Sequence, residues 1–288
     1  MRSVALERAR YRAYAVAFAL VLLASLASLW HDGDLSLGRR PWENLLRTAQ
    51  DFSRPSFVDA WAGDQALVYR SDDGTVLRTE DRRAVERQFL RGLGRAMWTT
   101  VKIAVLGTAL AALAALPLAL ASARNLRAPG PVAAAARAVA SILRSIHTLV
   151  FGLIFVGIVG LGPMAGILAV AAHSTGSLAK LYAEAIEALD EASIEAVRAT
   201  GASRAQTFFL SVWPAVLPQL TSLNLYVLEF NIRDSAVLGL IGAGGLGLLI
   251  SEATSLFQWG RLASILLALV LLVAAVDAAS RRIRQDLL

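Results

Sequence analysis

Glu229, Arg233 and Asp234 are the charges most out of keeping with their surroundings, because they fall inside an otherwise apolar run from about residue 212 to 240. An ionisable side chain in mid-membrane costs about 2.5 to 3.5 kcal/mol on insertion scales, so these groups must face protein or water. Glu229 and Arg233 stand four residues apart, the spacing of an intrahelical ion pair that would fix the helix. The alternative is that Arg233 lines a path and attracts an anion, since its planar fork matches an oxyanion's oxygens. Gly242, Gly244 and Gly247 spell G-x-G-x-x-G, a dinucleotide fingerprint in form. No strand precedes them, so a bend where helices approach closely is the better reading. His31, His147 and His173 are scattered, and there is no cysteine. Thiolate chemistry is therefore excluded and a metal site is not expected. His147 and His173 read as hydrogen-bonded packing residues, with no acid within a helical turn of either. No catalytic residue is assigned.

The elements that hold these groups follow from composition. Of 288 residues, 56% are apolar and 17% charged, with a mean hydropathy of +0.56. A soluble domain carries about a quarter charged residues, so the surplus apolar surface requires lipid. Residues 13–30 are 18 consecutive uncharged residues, about 27 Å of helix and enough to cross a bilayer. Further apolar runs at 96–123, 138–160, 164–183, about 212–240 and 262–280 bring the expected crossings to six. The chain thus reads as an all-α integral membrane protein. Residues 1–30 form the N-terminal tip and first span, 31–95 an external loop, and 96–288 the core.

Charge distribution orients the spans. The net charge of +6 does not indicate nucleic-acid binding, because residues 31–95 hold 11 Arg against 11 acids and the surplus flanks apolar runs. Arg2, Arg8, Arg10 and Arg12 precede the first span, and Arg281, Arg282 and Arg284 follow the last. Both termini are therefore expected in the cytoplasm. In the external loop, residues 67–79 alternate around Asp72-Asp73-Gly74 and predict a β-hairpin. Residues 80–95 predict a helix leading into the second span.

Residues 184–218 are the most informative stretch. Glu184, Glu187, Glu191 and Glu195 are three, four and four apart and on one helix would form an acidic stripe suited to a basic partner. Gly201 supplies the left-handed corner that closes a helix, and Ser203 with Gln206 makes an S-x-x-Q capping box that opens the next. Pro214 and Pro218 punctuate the approach to the fifth span.

These residues resemble the cytoplasmic EAA loop of ABC-importer permeases, whose pattern is E-A-A, three residues, G, nine residues, I-x-L-P. Glu195-Ala196-Val197, Gly201 and Ser211-Val212-Trp213-Pro214 stand in register with it. Val197, Ser211 and Trp213 depart from the pattern, and a Pro usual near Glu191 to Ser193 is absent. The resemblance covers roughly 96–285 and narrows to the phosphonate-type branch through GLGPMAG (160–166), the run 178–203, and NIRDSAVLGLIGAGGLG (231–247). It implies a type I permease fold whose loop at about 184–215 couples to an ATPase through Glu187, Glu191, Glu195, Ala196, Thr200, Gly201, Ala202 and Pro214. It also implies a translocation path or gate near Glu229, Arg233, Gly242, Gly244 and Gly245.

The same resemblance implies partners: separate ABC ATPase subunits, an extracytoplasmic substrate-binding protein and a second permease copy or paralogue. The chain has no G-x-x-x-x-G-K-[ST] loop, so ATP and Mg would be used by the ATPase and no cofactor is expected here. Phosphonate or a related phosphorus oxyanion is the expected cargo. The alternatives are the same machine carrying another small solute, or an ion-coupled secondary transporter using Glu229, Arg233 and Asp234 as a relay.

Overall fold

In the computed structural model the described residues are 2–32, 40–62, 66–70, 75–126 and 129–287. They fall into two compact units, one ending at Gln50 and one beginning at Asp51. In the first, α1 (Arg2–His31) carries apolar residues on all sides over its span-length part, the pattern of a helix surrounded by lipid. Most of α2 (Pro41–Phe52) also belongs there. It is amphipathic, with Trp42, Leu45 and Leu46 one turn apart and Glu43 and Arg47 beside them.

The second unit begins with α3 (Ser56–Ala62), followed by β1 (Ala66–Arg70) and β2 (Val76–Asp81). The strands pair antiparallel from Ala66↔Asp81 to Tyr69↔Arg78, with a register shift before Arg70↔Val76. The Asp72-Asp73-Gly74 turn lies outside the described residues. Asp81 ends β2 and caps α4 (Arg82–Ser122), its carboxylate accepting from Arg83 N–H. At 41 residues, α4 joins the charged segment after the hairpin to the second span as one continuous helix. Arg82 donates to Asp59 at 2.5 Å and Arg261 to Glu86 at 3.0 Å, tying the start of α4 to α3 and to the last helix.

The 138–160 run is not one straight span. It divides between α5 (Gly130–Ser145) and α6 (Thr148–Val159), which meet at 90°. The cause is local: Ile146 is extended, and His147 takes the N-cap position, its ring accepting from Leu149 N–H. The carbonyl freed at Ile146 is met by His173 Nδ1 at 2.8 Å, which satisfies a backbone group that lipid could not. From there α7 (Pro163–Glu187) runs 25 residues, long enough to cross but diluted by polar residues such as His173, Ser174, Thr175 and Lys180. Among the described residues, three helices reach span length and apolarity alone, and up to five spans result if each of two bent pairs is one. The remaining expected crossing, 164–183, lies in α7, which falls short on composition and not on length.

The remaining helices are α8 (Glu191–Ala199), α9 (Arg204–Thr207), α10 (Trp213–Leu238), α11 (Leu246–Ser255) and α12 (Trp259–Leu287), with a π-helical turn at Phe208–Val212. α4 and α7 pack along their lengths through small residues, Ala111, Ala115 and Ala119 on one and Ala169 and Ala179 on the other. Small side chains let membrane helices approach closely, where dispersion rather than water exclusion holds them. Tyr182, Ile186, Val212 and Val216 fill the core at one end. Leu93, Leu246, Leu262 and Ile265 fill it at the other.

Candidate coupling loop and polar track

Two exposed helices meeting at a glycine corner form the first candidate site. Asp190 caps α8 by accepting from Ala192 N–H. Gly201 turns left-handed at φ +83° and donates to the Arg198 carbonyl at 3.0 Å. Ser203 Oγ then accepts from Gln206 N–H at 3.3 Å, and Gln206 Oε1 accepts from Ser203 N–H at 2.8 Å, a reciprocal capping box. Ile194 is buried beside Ile186 and Val212, anchoring the corner. Glu195, Ala196, Thr200 and Gly201 stay exposed, Ala202 is half-buried, and Pro214 opens α10 with its ring exposed.

The four glutamates do not share one helix. α7 ends at Glu187, and Ala188 to Asp190 intervene before α8 begins at Glu191. The Asp190 cap starts a new helix after this break, and Glu187 accepts from Arg124 N–H at 2.8 Å. Glu184 pairs with Lys180 at 3.5 Å.

The second candidate site is a polar track through the bundle. Glu229 Oε1 lies 3.4 Å from Arg233 and its Oε2 lies 3.5 Å from Arg284 on α12, so the carboxylate joins two helices. Arg233 also sits over the Phe230 ring at 5.0 Å, with its side chain about half exposed (48%). Asp234 is not part of that cluster; it accepts from Thr148 Oγ1 at 2.8 Å and braces the N-terminus of α6.

Between them lies a residue that sequence reasoning passed over. Asn231, 3% exposed, donates to Thr108 Oγ1 at 2.7 Å and accepts from Ser174 Oγ at 3.0 Å, joining α10 to α4 and α7. Tyr182 donates to Asn224 Oδ1 at 2.5 Å one stage along α10. The signal was present: Asn224, Asn231 and Asp234 recur at helical spacing in an apolar run, and buried polar groups in lipid must find partners.

The glycine corner is built from backbone. Gly242, Gly244 and Gly245 all have positive φ, between +71° and +95°. The Gly242 carbonyl accepts from Gly162 N–H at 2.9 Å, and Leu246 N–H donates to Thr100 Oγ1 at 2.9 Å. Across this corner the helix pair bends by 47°.

A family model described as "Binding-protein-dependent transport system inner membrane component" matches residues 115–287, which contain the corner, the bend and all of the track except Thr108. The chain belongs to this family. As a binding-protein-dependent transport component it is similar over 192 residues, at 41% identity, to the phosphite transport system permease protein PtxC of Stutzerimonas stutzeri, covering 66% of this chain and 70% of that one. It is 35% identical over 243 residues to the phosphate-import permease protein PhnE of Mycolicibacterium smegmatis, covering 81% of this chain but 44% of that one. In fold it matches the MetNI methionine ABC transporter in an inward-facing conformation, with a TM-score of 0.63 and 24% identity over 68% of this chain and 96% of that one. The fold is that of a type I ABC importer permease, and the expected family and fold class are those found.

Proposed function

We propose that this permease carries a small phosphorus oxyanion inward, powered by a separate ATPase dimer and supplied by an extracytoplasmic binding protein. The observation that carries the coupling half is the α8–Gly201–α9 corner. It presents Glu195, Ala196 and Thr200 outward on a turn fixed by a left-handed glycine and a capping box. A rigid exposed corner anchored through Ile194 transmits motion of a docked partner to α7 and α10. The cargo half rests on the phosphite and phosphate transport named for the relatives PtxC and PhnE.

In this reading, ATP and Mg bind the ATPase, its closure moves the corners of a permease pair, and the bundle opens on the other side. The 242–247 bend serves as the outer gate, and both termini are cytoplasmic. Arg233, paired with Glu229, acts as a brace more than a cargo ligand, because a permease that held its anion tightly would release it slowly.

Reconstitution with candidate ATPase and binding-protein partners tests this, comparing wild type with Gly201→Asp. A Cβ at Gly201 meets nothing within 4 Å, so the variant strains the backbone and adds charge without disturbing the core. ATP-dependent uptake of phosphite or phosphonate by wild type, largely lost in the variant, is the expected result. Uptake by wild type on a proton or sodium gradient without the ATPase overturns it.

A further inference from the structure

A basic cavity of about 310 Å³ opens between the ends of α4, α5 and α7. Its two walls are matched helical stripes. Arg137, Ser141 and Arg144 lie at i, i+4 and i+7 on α5, and Lys180, Glu184 and Glu187 lie at the same spacing on α7. Arg124 completes the lining, so four cations face two carboxylates. Both carboxylates are already engaged, Glu184 with Lys180 at 3.5 Å and Glu187 with the Arg124 N–H at 2.8 Å. Among the described residues, neither Arg137 nor Arg144 is in an ion pair. Arg137 spends one N–H on the Ser122 carbonyl at 3.1 Å and keeps the rest of its fork.

Position sharpens the point. Arg144 lies 14 residues beyond the start of α5 at Gly130, about 21 Å along the helix and inside a stretch apolar enough to be taken for a span. A cation within such an apolar run needs a counter-charge or water. The wall spacing is fixed, because α7 runs against α5 at Gly176, where a Cβ would come within 2.5 Å of the Arg144 backbone nitrogen. Two arginines and a hydroxyl on one helix face recognise an anion with several oxygens, for which guanidinium forks are suited.

We infer that this cavity is a binding site for a phosphate-type group, held by Arg137 and Arg144 with Ser141 beside them. The group belongs either to an anionic lipid headgroup or to a free oxyanion; basic pockets between membrane helices take both. The inference does not rest on the transport reading, since a lipid phosphate fills the site whatever the cargo is.

Arginine-selective labelling of the full chain with phenylglyoxal, read by mass spectrometry, tests it first on the wild-type protein. In phosphatidylcholine nanodiscs, inorganic phosphate slows labelling of Arg137 and Arg144 roughly tenfold relative to chloride if the free anion binds, about 1.4 kcal/mol of protection. Phosphatidylglycerol nanodiscs give the same protection without added phosphate if the lipid binds. Arg281, which pairs with Asp277 on α12, is the control and labels equally throughout. Protection of Arg144 falls in Arg137→Gln and is retained in Arg137→Lys. Equal labelling of Arg144 in every condition, or equal protection of Arg281, overturns the site.

Discussion

Asn231 illustrates how one side chain can organise a membrane bundle. Its amide meets Thr108 and Ser174 on two other helices, and all three groups are buried. Asn231→Leu removes two hydrogen bonds; Thr108 keeps its bond to the Ala104 carbonyl, whereas the Ser174 hydroxyl must find a new acceptor, at a cost of about 1–2 kcal/mol. Thermal melting of the purified protein should show a clear drop in midpoint; an unchanged midpoint would mean the node is not structural. The Glu229 cluster makes a contrasting prediction. Glu229 reaches both Arg233 and Arg284 and its side chain is 17% exposed, whereas Arg233 is 48% exposed. An exposed pair contributes about 0–1 kcal/mol, so Arg233→Gln should leave stability nearly intact while Glu229→Gln lowers it. If Arg233→Gln also leaves uptake unchanged at normal expression, that side chain is not on the path.

Helix geometry carries the next level. The bend between α10 and α11 depends on contact closer than any side chain permits: a Cβ at Gly247 would fall 1.9 Å from the Ala236 carbonyl. Gly247→Ala must push the helices apart, with an overpacking cost of about 1–3 kcal/mol. Gly157, in α6, meets nothing within 4 Å, and Gly157→Ala should be neutral or stabilise by about 0.5–1 kcal/mol through helix propensity. Comparing melting midpoints of the two variants separates packing from propensity, and equal behaviour would sink the argument. The capping box and the Gly201 corner were legible because both are local: four residues dictate them without reference to the rest of the fold. The acidic stripe was misjudged for the complementary reason. Spacing alone aligned Glu184 to Glu195, but the cap at Asp190 and the distant Arg124 backbone broke the alignment.

Within the larger unit, β2 leads through Asp81 directly into α4, so the strand pair and the second span are mechanically continuous. That continuity supports a docking role for the strand pair. Deleting residues 64–80 is expected to reduce binding-protein-dependent uptake while the helical core still folds; full uptake after deletion would remove the role. Composition, charge placement and hydropathy by themselves determined that this chain is a helical membrane protein, and the Glu195 to Pro214 pattern marked it as resembling ABC-importer permeases. Those features are set by solvent and by neighbours in sequence, so a one-dimensional reading suffices. Tertiary structure alone decided that the 138–160 run turns through 90°, that Asn231 and not Asp234 joins three helices, and that Arg137 and Arg144 share a cavity. Each depends on which distant backbone or side chain satisfies a polar group where water is scarce, and that choice is made only when the helices pack.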